Sequence, residues 1–307
     1  MPKRIDFKGV VFAPIAGYSD VGMRRLCAMR GADMTVTEMI SAKGLVYGSD
    51  KTEDLLHTTD SEKIKCVQIF GSEPYFISKA VEHKALEKFD VIDVNMGCPV
   101  PKIVKNGEGS ALLENIPLAM QVVKAARIAG KPVTVKFRLG VTADKLVAVD
   151  FAKAMQDAGA SAITVHGRTR EQMYSGVANW DEIAKVKKAV EIPVFVNGDI
   201  VDKKSYDKAM QITDCDGAMI ARGALGNPKI FSDIKGLEIK DYSLKEDIIL
   251  HLDTMLSFHH ENYVAANFKK HLAYYCRGMR GQKEIKLAAF ACKSADDIRQ
   301  VIERFFV

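Results

Sequence analysis

Short runs of apolar, largely β-branched residues recur eight times in this chain, at 9–13, 33–37, 66–69, 91–94, 133–137, 162–165, 194–196 and 218–220. Most are apolar at successive positions, the signature of parallel strands covered on both faces. Helical patterns lie between them, at 21–29, 74–88, 117–129, 145–158, 181–190 and 203–211. Eight such runs alternating with helices over roughly 230 residues are what a (β/α)8 barrel requires. The rival is an open doubly wound sheet, which would carry G-x-G-x-x-G after its first strand. Here the first run leads into Ala13-Pro-Ile-Ala-Gly17, so an α/β TIM barrel is expected.

The pattern changes near residue 240. Ser243 and Glu246 have capping-box spacing. Behind them Ile248, Ile249, Leu252, Met255 and Leu256 recur at helical intervals, and Ser294 opens a last amphipathic helix. No β run follows, so the expectation is a catalytic barrel over 1–240 and a smaller all-helical domain over 241–307. Apolar residues make up 48% of the 307 and charged residues 27%, with a net charge of +5. This composition excludes a disordered chain. No run of about 18 apolar residues is present, and the N-terminus has no apolar core for a signal peptide. Six scattered cysteines form no C-x-x-C pair, which fits a reducing cytoplasm. Nothing demands a protein partner, so a monomer is expected.

In such barrels chemistry sits at the C-terminal strand ends. Read as a ring, those ends carry Pro14, Ile15 and Ala16; Glu38; Gln68; Asn95 and Cys98; Lys136 and Arg138; His166 and Arg168; Asn197, Gly198 and Asp199; then Ala221, Arg222 and Gly223. Glycine turns after strands seven and eight suit a phosphate, with Leu225-Gly-Asn-Pro228 opening a short extra helix. The phosphate's owner is a phosphosugar or a flavin mononucleotide. Gln68 and Lys136 suit the pyrimidine edge of a flavin, where a cation favours the anionic reduced ring. Lys136 could instead pair with Asp93. Cys98 stands in a Gly-Cys-Pro turn without an evident base, so as a thiol of pKa about 8.5 it suits proton donation. His166 fits a catalytic acid, a cofactor contact or a satisfied core residue. No second His or paired carboxylate completes a metal set, so no metal is expected.

The stretches Ala13-Pro-Ile-Ala-Gly-Tyr-Ser-Asp20, Glu38-Met-Ile-Ser-Ala-Lys43, Val67-Gln-Ile-Phe-Gly-Ser72 and Asp93-Val-Asn-Met-Gly-Cys-Pro99 resemble the tRNA-dihydrouridine synthases. Lys102 and Lys105 follow, with Val135-Lys-Phe-Arg-Leu-Gly140, His166-Gly-Arg-Thr-Arg170, Asn197-Gly-Asp-Ile200, Ala221-Arg-Gly-Ala-Leu-Gly-Asn-Pro228 and Phe268-Lys-Lys-His-Leu-Ala-Tyr-Tyr275. The resemblance implies an FMN enzyme that reduces the C5=C6 bond of tRNA uridines with NADPH as reductant. Cys98 would be the general acid, and Gln68, Lys136 and His166 would contact the flavin. Pro14–Ala16 would underlie its ring, while Asn197–Asp199, Ala221 and Arg222 would hold its phosphate. Asn95, Lys136, Arg138, Arg168 and Arg170 would face the uridine or nearby RNA, with Lys102 and Lys105 at the mouth. Phe137, Val141 and Ala221 depart from the usual pattern without touching a reactive group.

Between 267 and 293 seven basic residues (Lys269, Lys270, Arg277, Arg280, Lys283, Lys286, Lys293) face one acid, Glu284. That surplus, interleaved with aromatics, suits RNA phosphates; Lys269, Lys270 and Arg277 are the chosen contacts. An FMN oxidoreductase acting on a free pyrimidine, like dihydroorotate dehydrogenase, is the alternative and has no need of such a tail. A flavin-free phosphosugar isomerase or aldolase using Lys136 as a Schiff base is a second, and an RNA-binding module with vestigial catalytic residues, against which the intact Cys98 set weighs, is a third.

Overall fold

The computed structural model describes residues 5–306. Eight parallel strands form its centre: β1 (Gly9–Phe12), β2 (Met34–Ser41), β3 (Lys65–Phe70), β4 (Val91–Met96), β5 (Val133–Arg138), β6 (Ala162–His166), β7 (Val194–Asn197) and β8 (Gly217–Ile220). Each pairs with the next and β8 pairs with β1, so the sheet closes into a TIM barrel.

The wall helices are α1 (Val21–Met29), α2 (Ala42–Val46), α3 (Asp50–Glu53), α4 (Pro74–Val81), α5 (Pro101–Lys105), α6 (Ile116–Ala126), α7 (Ala148–Asp157), α8 (Trp180–Ala189) and α9 (Lys203–Thr213). The short α10 (Ile230–Lys235) follows β8. An all-helical C-terminal region then comprises α11 (Leu244–Phe258), α12 (Glu261–Tyr275), α13 (Gln282–Ala291) and α14 (Ala295–Phe305).

Side chains alternate across each strand, so one set faces the lumen and the other the helices. The lumen set starts apolar: Val11, Met34, Cys66, Val91, Ala162, Phe195 and Met219 form one buried cluster. Two to four residues further along the strands the lumen turns polar, with Gln68, Asp93, Asn95, His166 and Asn197, joined by Lys136 of β5. The barrel is thus plugged at one end and chemically equipped at the other.

Three elements differ from the sequence expectation. β2 runs on to Ser41, past Thr37, through a register shift between Val36 and Met39. Glu38 therefore lies within the strand, at this irregularity. α7 starts at Ala148 rather than 145, because Gly140 and Leu146 pair as an antiparallel bridge. α4 ends at Val81, and a separate 3-10 turn covers Lys84–Leu86.

The C-terminal helices pack around Ile248, Leu252, Met255, Val264, Phe268, Leu272, Ile298 and Ile302, and Leu26 of α1 joins this cluster. Arg30 binds the fully buried Asp247, and Arg25 donates to Thr254 Oγ1 at 2.9 Å. At Gly226 (φ 75) a Cβ would run into the backbone of Tyr274, so the turn after β8 touches the end of α12.

Candidate active site

Cys98 is presented by a turn that Asn95 builds. The Asn95 Oδ1 accepts from Gly97 N (3.1 Å) and Cys98 N (2.9 Å), and its Nδ2 donates to Gln68 Oε1 at 2.8 Å. Ser110 N (3.0 Å) and Oγ (2.8 Å) hold the Cys98 carbonyl. Gly109 (φ 59) lets that segment close in, since a Cβ there would sit 2.9 Å from Cys98 O. Burial pushes the thiol pKa up, against the Val100 N–H and the cations Arg138 and Lys136. The group therefore stays protonated at neutral pH.

Beneath it lies a fully hydrogen-bonded relay. Gln68 Nε2 donates to Asp93 Oδ2 (2.7 Å), and Thr134 Oγ1 donates to Asp93 Oδ1 (2.5 Å). Burial raises the Asp93 pKa, opposed by these donors and by Lys136. The Asp93–Lys136 ion pair weighed from sequence is absent among the described residues: Lys136 makes neither a hydrogen bond nor an ion pair. Burial, reinforced by Arg138, lowers its pKa to about 8. His166 is also without a hydrogen-bonding partner. Burial and the surrounding cations Lys136, Arg138, Arg168 and Arg222 hold its pKa well below 6.5, so the ring is neutral.

Two arginines expected to face the uridine or nearby RNA are buried and bonded to loop carbonyls. Arg138 is 3% exposed; it donates to Gly97 O (2.8 Å), Thr169 O (2.9 Å) and Met173 O (2.8 Å), tying the Cys98 turn to the loop after β6. Arg168, 2% exposed, donates to Ser175 O (2.9 Å), Gly176 O (2.7 Å) and both Asp199 oxygens (2.8 Å). Both sit next to polar loop carbonyls that a buried guanidinium satisfies. Asn95 likewise spends its amide on the turn. Arg170 is paired with Glu114 (2.7 Å). Lys102 and Lys105 are exposed on α5, directly after Cys98.

The expected phosphate residues gather after β7 and β8. Asn197 Nδ2 bonds Met219 O (2.7 Å), joining the two strand ends. Gly198 has φ 119, and a Cβ would lie 2.8 Å from Ala178 Cβ and 3.1 Å from His166 Cδ2. At Asp199 (φ 57) the carboxylate accepts from Ala178 N and Arg168, and the backbone N–H makes no hydrogen bond among the described residues. Arg222 stands beside it (3.7 Å), and Ala221 is part-buried. Arg168 Nη1 is buried with no partner. That orphaned donor, with unpartnered Lys136 and neutral His166, fits an anionic, hydrogen-bonding ligand. Pro14, Ile15 and the exposed Ala16 follow β1, the neighbour of β8 in the closed barrel, and Ile15 N donates to Ser19 Oγ (2.9 Å).

The sequence reading missed Tyr174, whose ring lies 5.6 Å from both Arg138 and Arg222. It sits in a polar loop that carries no periodic signal. It also missed Asp20, His251 and His271, which converge from distant segments. Lys269 and Lys270 are half-buried on α12 and Arg277 is exposed beyond it, far along the chain from the Gly-Cys-Pro turn. Lys270 alone of these reaches the mouth wall: a Cβ on Gly17 would meet its Nζ at 3.1 Å.

Residues 11–306 match the family model described as dihydrouridine synthase (Dus). The chain is 34% identical over 302 residues to a protein of Aquifex aeolicus named "Probable tRNA-dihydrouridine synthase", covering 96% of this chain and 95% of that one. It is 33% identical to "tRNA-dihydrouridine synthase B" of Pasteurella multocida, covering 97% and 92%. Among solved structures, a 2-naphthoyl-CoA reductase complex aligns with a TM-score of 0.58 at 9% identity, over 74% of this chain and 50% of that one. That likeness concerns the fold.

Proposed function

The chain belongs to the dihydrouridine synthase family, and from that premise we propose that it reduces the C5=C6 bond of specific uridines in tRNA to 5,6-dihydrouridine. The relatives' names support the substrate. The observation that carries the chemistry is the protonated Cys98 thiol on its Asn95-built turn, beside unpartnered Lys136.

FMN is the proposed cofactor. Its phosphate end would lie against Arg168 Nη1, Arg222 and the Gly198–Asp199 backbone, with His166 near its chain and Lys136 and Gln68 at its pyrimidine edge. Gln68 keeps one amide hydrogen and one carbonyl lone pair beyond its internal bonds. When bound and reduced by NADPH, FMN would supply the hydride that adds at uracil C6.

The residues handle the rest. Charge displaced from the C5=C6 bond collects on C5 and O4 of the uracil, where fixed donors and cations stabilise it. Cys98 Sγ gives its proton to C5, completing the addition of hydride and proton. Asn95 keeps the thiol at that position. Residues 1–240 act as the catalytic unit and 241–307 as the tRNA-binding unit. Seven basic residues in 267–293, none of them in an ion pair among the described residues, favour RNA over a free pyrimidine.

The test is incubation of unmodified tRNA with the FMN-loaded protein and NADPH, followed by mapping of dihydrouridine. Site-specific dihydrouridine is expected. NADPH-dependent reduction of orotate with none of tRNA would overturn the reading.

A further inference from the structure

The wall of the mouth formed by the β1–α1 turn is shared with the helical region. The Lys270 ammonium stands over Gly17 and lies 5.4 Å from the centre of the Tyr18 ring. Tyr18 and Tyr274 meet edge to face with centroids 5.3 Å apart. The Arg277 guanidinium covers Tyr274 at 4.6 Å. Both rings are half-exposed, Arg277 is exposed, and neighbouring Ala16 is exposed. Lys270 donates only to Asn267 Oδ1 (3.2 Å), and Arg277 has no hydrogen-bonding or ionic partner. Two rings and two cations thus form one strip leading away from Ala16, with Lys270 within electrostatic reach of the Glu38 carboxylate but in no ion pair among the described residues.

A buried polar joint fixes this strip. Asp20, two residues after Tyr18, caps α1 through Met23 N (3.0 Å) and contacts His251 Nε2 (3.0 Å) and His271 Nε2 (2.9 Å). Tyr275 Oη contacts His251 Nδ1 at 3.0 Å. His271 adjoins Lys270 in sequence, and its ring packs edge to face on Tyr18 at 5.4 Å. The joint therefore sets where Lys270 and Tyr274 stand relative to Tyr18.

We propose that Tyr18, Lys270, Tyr274 and Arg277 form a seat for the unpaired nucleotide flanking the target uridine. This rests on the tRNA reading above. Extruding one base from a folded RNA unstacks its neighbours. An exposed neighbour base stacks on aromatic rings or a guanidinium plane whatever its identity, and Lys270 meets the linking phosphate. The seat holds the strand while the uridine enters beside Ala16. The competing occupant is the adenosine end of NADPH. RNA is favoured because the strip continues into the unpaired basic residues of 267–293 rather than into the barrel.

The test places 2-aminopurine next to the target uridine in tRNA and follows its fluorescence on binding to FMN-loaded protein. Wild type should quench it by stacking. Tyr18→Leu with Lys270→Ala should abolish the quench and lower kcat/KM for tRNA about 10-fold or more, with FMN content and KM for NADPH unchanged. Arg277→Gln, at an exposed position, should weaken the quench alone and serves should the double variant misfold. Wild-type quench and kcat/KM in all variants would overturn the seat, as would a raised KM for NADPH with tRNA kinetics intact. Quenching is read whether or not dihydrouridine forms, so failure of the seat and failure of the activity are separable.

Discussion

Burial raises the Cys98 pKa further above neutral and Asn95 sets its position, so the two residues should fail differently. In Cys98→Ala, dihydrouridine formation should fall about 10²- to 10⁴-fold, the usual contribution of a general acid. FMN uptake and flavin reduction by NADPH should persist. Undiminished single-turnover formation of dihydrouridine would remove Cys98 from the mechanism. Lys136 sets a pH limit. Its pKa of about 8 means that the cation is present below that pH and lost above it. The thiol, raised from 9.0, stays protonated to higher pH. kcat/KM for tRNA should thus decline as pH rises through about 8. Lys136→Arg, which keeps its charge, should move that limb upward; an unmoved limb assigns it to another group.

The strand ends gather most of the polar side chains of the candidate site, and their placement is legible in the sequence because period and position coincide on a barrel strand. Gln68, Asp93, Asn95, Lys136 and His166 fall on alternate positions of otherwise apolar runs, which places them in the lumen. What could not be read was the use of each side chain. Arg138 and Arg168 read in sequence as strand-end residues facing the uridine or nearby RNA; both are buried and donate to carbonyls of the loop after β6. That loop has no periodicity, so its path, and the place of Tyr174, follow only from the closed barrel. The β2 run reads only to Thr37 because Glu38 interrupts it, while Glu38 in fact stays in the strand and accepts from Gly17 N in the turn after β1. The turn after β7 gives the test at this scale. A side chain at Gly198 is strained by φ 119 and crowds Ala178 and His166. Gly198→Ala should cost about 1–3 kcal/mol, read as a lower urea midpoint, and should weaken FMN retention. FMN affinity equal to wild type would mean that the phosphate does not approach this backbone.

The whole molecule depends on how the helical region is held against the barrel, and the Asp20 joint makes that hold acid-sensitive. Burial lowers the His271 pKa to about 4, so the folded protein keeps the ring neutral, while the unfolded chain protonates near 6.5. Stability from this group is full above about 6.5 and is lost as pH falls toward 4. Asp20, held well below its ordinary value by His251 and His271 against its desolvation, acts in the same direction at still lower pH. The urea midpoint should drop between pH 7 and 5, and His271→Gln should flatten that drop; an equal drop in the variant would place the sensitivity elsewhere. The tail can be tested without disturbing this joint. Arg280 and Lys283 are exposed, unpaired among the described residues and outside the proposed nucleotide seat. Each phosphate contact adds about 0.9 to the slope of log affinity against log salt. Reversing both charges, Arg280→Glu with Lys283→Glu, should weaken tRNA binding and reduce that slope by about two, with NADPH oxidation by FMN unchanged. The Asp20 joint lies behind Tyr18 and Lys270, so the pH dependence of stability should also match wild type. An unaltered salt slope would move the docking face to Lys102 and Lys105 on α5, where two exposed cations flank the Cys98 turn.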